Sequence, residues 1–137
     1  MLTDRRTITG LLGALVFFDL LLVVWAFGFP DLWFELFHTS TEGSQPARLL
    51  LKRCGANWGA FALFQAIALY RWEERPHWLT VVAGIRLSDI FTDPVYAAFS
   101  DDPSWLNTLA LPLMGVGNVA LGVFLLSAFI EHSEHHA

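Results

Sequence analysis

Four apolar runs, at roughly 8–29, 49–70, 78–98 and 106–130, take up most of this 137-residue chain. Each is close to the ~20 residues an α-helix needs to cross the hydrocarbon core of a bilayer. No other feature limits the fold as tightly. Only 15% of the residues are charged and 55% are hydrophobic, whereas a soluble domain usually carries about a quarter charged residues. The runs leave no room for a separate soluble unit. Residues 1–137 are therefore expected to form a single polytopic membrane domain, an all-α, integral-membrane bundle of four transmembrane helices. Between the first two runs, Asp31-Leu32-Trp33-Phe34-Glu35-Leu36-Phe37-His38 interleaves apolar and acidic residues over two turns. That pattern predicts a short helix lying in the membrane interface.

The first run follows Arg5 and Arg6, as a signal peptide would. It is longer than a signal core, carries Asp19 and lacks a small-residue cleavage site, so it is read as a retained helix that Pro30 ends. Thr39 to Pro46 is turn-forming. The connection Arg71 to Trp78 is short and charged, with Trp72 and Trp78 at interfacial positions, and makes the second and third helices antiparallel neighbours. Placing both termini inside puts Arg5, Arg6, Arg71 and Arg75 on the cytoplasmic side. Arg48 and Lys52, able to snorkel to headgroups, fall on the other side with Arg53 a little deeper. This Lys/Arg bias sets the expectation of cytoplasmic termini; a bacterial inner-membrane location is expected only from the family resemblance given below.

The third run carries Arg86, Asp89 and Asp93 at i, i+3 and i+7, which is one stripe of a helix. Ionisable residues at membrane depth are costly and by default mark function. At about 1.5 Å of rise per residue, depth matching predicts three layers. Arg53 pairs with Asp93 as a structural ion pair near the interface, Asn57 meets Asp89, and Asp19 meets Arg86 and Asn118. Two arginines facing three aspartates leave one carboxylate over, which points to a proton- or cation-accepting site built from Asp19, Arg86, Asp89, Asn118 and Asn57. The competing reading is a network that only holds four helices in register. Pro94 is expected to kink or end the third helix near Asp93. Gly55 with Gly59, and Gly115 with Gly122, give small faces for close helix packing.

Several classes find no support. A net charge of −5 with no basic stripe offers nothing to nucleic-acid phosphates. The single Cys54 excludes an internal disulfide or a CxxC pair. His132, His135 and His136 sit in a hydrophilic tail expected to fray, with no second shell to make a metal site. His38 and His77 lie at interfaces rather than within a helix, so no haem ligand is evident. No catalytic residue, metal or cofactor is assigned, and nothing commits the chain to an enzymatic activity.

The Arg53-Cys54-Gly55-Ala56 start of the second run, the in-helix Arg86 and the glycines Gly115, Gly117 and Gly122 resemble the small four-helix bacterial membrane proteins of the DoxX-like kind. The resemblance covers residues 47–130 and implies a four-helix bundle, in some members linked to oxidoreductase or quinone systems. The leading expectation is a small non-enzymatic membrane protein: an accessory or assembly subunit of a larger membrane complex, or a self-associating bundle. Its expected partners are membrane lipid and that complex or a homo-oligomer. The alternatives are small-molecule, lipid or proton binding or transport through the buried Asp/Arg site, and a quinone-linked oxidoreductase component.

Overall fold

The computed structural model describes residues 4–39, 43–99 and 103–134. Among them are five helices and no strand: α1 (Arg5–Gly28), α2 (Pro30–Phe37), α3 (Gln45–Arg71), α4 (Trp78–Phe99) and α5 (Trp105–Glu134). The starts are set by local chemistry. Asp4 caps α1 by accepting a hydrogen bond from the Thr7 amide, and its bonds with Thr7 hold the Asp4 carboxyl below its ordinary pKa. Pro30 opens α2 and Pro46 lies in the first turn of α3, positions where a missing N–H costs nothing. Ser44 caps α3 through the Ala47 amide.

Two expectations about helix ends need correcting. α4 runs on through Pro94 to Phe99, so of the expected kink or end, the end does not occur. α5 likewise contains Pro112 and continues through Ser133, a stretch expected to fray. His132 is held there by its Nδ1 at 2.9 Å from the Ala128 carbonyl and by edge-on contact with Trp72. His135 and His136 lie outside the described residues.

By length and composition, α1 and α5 are long and apolar enough to cross a membrane. α3 and α4, at 27 and 22 residues, are long enough but carry more polar residues, among them Asn57, Gln65, Arg86, Asp89 and Asp93.

α1 packs chiefly on α3 and α4 on α5, and a smaller α3–α4 contact joins the two pairs. Glycines permit both close pairs. A Cβ on Gly55 would stand 2.8 Å from the Ala26 Cβ of α1, and one on Gly122 would stand 2.6 Å from Leu87 of α4. Gly59 is looser, with its nearest neighbour, Val23, at 3.7 Å, and Gly115 faces Asp93 rather than a backbone.

All four long helices converge at one end, the narrow end as against the wide end opposite, formed by the start of α1, the end of α3, the start of α4 and the end of α5. There Ile8, Leu12, Leu15, Ala68, Trp72, Leu79, Val82, Ala83, Leu125 and Ala128 make one buried cluster. Arg5 pairs with Glu73 at 2.6 Å across its rim. At the opposite end only a small cluster forms, Ala26 and Leu51 with Phe34 of α2. Here α2 acts as a strap. Trp33 packs against Trp25 of α1 and Trp58 of α3, and Asp31 pairs with Arg48. The far end of α2 is tied to the start of α5, where the Ser104 amide donates to the Phe37 carbonyl and the Ser104 hydroxyl to Leu36.

Candidate functional site

The stripe on α4 organises the polar interior. Deepest is Arg86, only 5% exposed. Its Nη2 donates to Asp19 Oδ2 on α1 at 2.7 Å, and Gln65 Nε2 on α3 donates to the same oxygen at 2.7 Å. Asp19 and Gln65 are both fully buried. Three helices thus meet at one carboxylate oxygen. Three further polar atoms of the cluster, Asp19 Oδ1, Gln65 Oε1 and Arg86 Nε, are buried and have no hydrogen-bond partner within the described protein. A buried unsatisfied polar group costs about 1–3 kcal/mol, so this arrangement is not the cheapest way to hold three helices together.

One turn further toward the wide end, Asp89 is half-buried. Its Oδ2 accepts from Asn118 Nδ2 of α5 at 2.6 Å and its Oδ1 from the Thr92 hydroxyl at 3.3 Å. A turn beyond that, Asp93 lies against Gly115, whose position would put a Cβ 3.2 Å from Asp93 Oδ2. Among the described residues Asp93 forms no ion pair.

Asp89 and Asp93 face a cleft of about 580 Å³ between the last half of α4 and the first half of α5. Its walls are otherwise apolar, including Pro94, Pro112, Val116 and Val119, and no basic residue lines it. The space exists because Ala97, Gly115 and Ala120 are small where the two helices face each other.

The expected layers are thus met in part. Asp19 and Arg86 come together. Asn118 joins Asp89 and not the Asp19 layer. Arg53 and Asn57 join neither of their expected partners; both are exposed on α3. The reason is rotation about α3. Leu51, Gly55, Ala62, Gln65 and Ala68 form its buried face. Residues 53 and 57 each lie two positions beyond members of that face, which is about 200° around the helix. The same geometry explains Gln65, which the sequence reading did not single out. It is the one strongly polar residue between Trp58 and Tyr70, and it stands three residues from both Ala62 and Ala68 of the buried face.

Among the described residues no group of three or more His, Cys, Asp or Glu side chains is placed to hold a metal ion. Comparison with known protein families finds no matching model. No curated protein and no solved structure gives a significant match.

Proposed function

We propose that the chain is a four-span membrane protein that binds a small amphipathic cation in the α4–α5 cleft. The cleft carries this reading: apolar walls end on two carboxylates, with no positive residue in the lining to answer them. A hydrophobic body with an ammonium head is the complement of that surface, since a charge in an apolar site is stabilised by an opposite charge nearby.

The membrane assignment has its own support. Phe17, Phe91, Phe99, Trp105, Leu113 and Val116 are each at least 70% exposed, and soluble monomers rarely present so much apolar surface to water. The polar residues that make α3 and α4 less apolar include Gln65, Arg86 and Asp89, which point inward and meet partners there. By Lys/Arg count the narrow end, with Arg5, Arg6, Arg71 and Arg75, is the cytoplasmic one. An accessory-subunit role was expected to use glycine faces as its outward contacts. Gly55 and Gly122, the glycines in closest helix contact, are used inside the bundle.

The test is binding of a hydrophobic quaternary ammonium to the protein in nanodiscs, against an anionic sulfate of the same chain length. The cation is expected to bind saturably. Asp93→Asn should weaken it by about tenfold or more, the worth of one charge-assisted contact. Equal partitioning of cation and anion, unchanged by Asp93→Asn, would overturn the reading.

A further inference from the structure

We propose that the Asp19–Gln65–Arg86 cluster is a binding site for a single internal water molecule, reached from the wide end of the bundle along the α4 stripe. The proposal is independent of what occupies the cleft. It rests on three side chains at least nine-tenths buried, each with one polar atom that no protein group answers.

The unanswered atoms define the ligand. Asp19 Oδ1 and Gln65 Oε1 are acceptors and Arg86 Nε–H is a donor. A water molecule donates two hydrogen bonds and accepts one or two, and buried waters typically make about three bonds to groups left without protein partners. The geometry agrees. Gln65 and Arg86 both reach Asp19 Oδ2 at 2.7 Å. Ordinary covalent bond lengths then place every unanswered atom within about 5 Å of that oxygen. The three atoms thus surround one buried carboxylate oxygen, where a single water can hydrogen-bond to more than one of them. An apolar molecule would leave all three atoms unanswered, and an ion of either sign would add charge to a pair already balanced.

The surroundings set the direction of access. From the cleft, Asp93, Asp89 and Arg86 descend α4 in steps of four and three residues, about 6 and 4.5 Å. Each step is short enough for water to pass from one polar group to the next. Beyond Arg86 the path stops. Ala83, Val82 and Leu79 on α4 are fully buried against the Leu12, Leu15 and Leu125 cluster, with no polar side chain among them.

Water-edited solid-state NMR of the full chain in lipid bilayers tests this, because it reads how quickly magnetisation passes from water to each carbon. Signal at Asp93 Cγ, Asp89 Cγ, Arg86 Cζ and Gln65 Cδ is expected to build up several-fold faster than at Leu79 and Val82. Gln65→Met, which removes one acceptor while leaving the Asp19–Arg86 pair, should slow the build-up at Arg86 Cζ at least twofold. The proposal fails if Arg86 Cζ in the wild-type protein builds up as slowly as Leu79, or if Gln65→Met leaves it unchanged. Should Gln65→Met not fold, the wild-type comparison of Arg86 with Leu79 and Val82 decides alone.

Discussion

The two ends of this bundle are made of similar helices and do opposite things. At the narrow end four helices share one cluster of ten buried apolar residues. At the wide end the cluster shrinks to Ala26, Phe34 and Leu51, a cleft opens between α4 and α5, and the eight-residue α2 ties α1 and α3 to the start of α5. The difference follows from side-chain size and polarity along the same helices. On α4, Leu79, Val82 and Ala83 present apolar surface to neighbours on every side, while Asp89 and Asp93 meet an amide and a glycine. Stability and a ligand-sized space therefore occupy separate halves of one fold. The Asp19–Gln65–Arg86 cluster is the boundary between them.

That boundary is where the largest effect is expected. Arg86→Met leaves the Asp19 charge buried with only the Gln65 amide, and removing one partner of a buried pair costs about 3–5 kcal/mol. Unfolding in mixed micelles should show that loss. Asp19→Leu combined with Arg86→Met should restore much of it, because no uncompensated charge then remains. A single variant as stable as the wild type would mean that the pair contributes nothing to holding α1 against α4. Next in size is the direct contrast between ends. Leu79→Ala empties a fully buried position at the narrow end and should cost about 2–5 kcal/mol. Val116→Ala, in the wall of the cleft and 70% exposed, should stay within about 0.5 kcal/mol. Similar losses for the two would erase the distinction between a packed end and an open one.

How much of this was legible in the sequence depends on which physical quantity each expectation needed. Helix positions needed only apolar length and end chemistry, so all four long helices lie within a few residues of the expected runs. The stripe on α4 needed only helical periodicity, and Arg86 does meet Asp19. What failed was rotation of a neighbouring helix about its own axis. Arg53 and Asn57 share a face of α3, as their spacing says, but it is the face turned outward. The glycine at 55 held the correct information: it marks where α1 approaches closely, and Gln65 lies on its side. Charge drew the assignment to Arg53, whereas packing fixed the face. Asn118 missed its layer by a single turn, which is the resolution of depth counting along helices of unknown tilt. Pro94 was expected to kink or end α4, and it does not end it. Being near the C-terminal end, it disturbs only bonds to the preceding turn, and the helix continues beyond it.

A modest effect at Ser104 separates the two ends most directly. At the wide end Ser104, 8% exposed, does two jobs with one hydroxyl: it donates to the Leu36 carbonyl of α2 and accepts from the Asn107 amide at the start of α5 at 3.1 Å. Ser104→Ala removes both bonds and leaves the Ser104 amide on Phe37 in place. The loss in overall stability should be about 1 kcal/mol, the usual worth of such a cap. Hydrogen exchange locates it. If the wide end opens on its own, the His38 amide, which bonds Phe34, should exchange faster in Ser104→Ala. The Trp72 amide at the narrow end, bonded to Ala68, should keep its rate, since local openings need not involve the whole fold. Equal acceleration at both amides would show instead that strap and core open together. The cleft would then be a rigid feature of a single cooperative unit, and a ligand could enter only by the gap already present between α4 and α5.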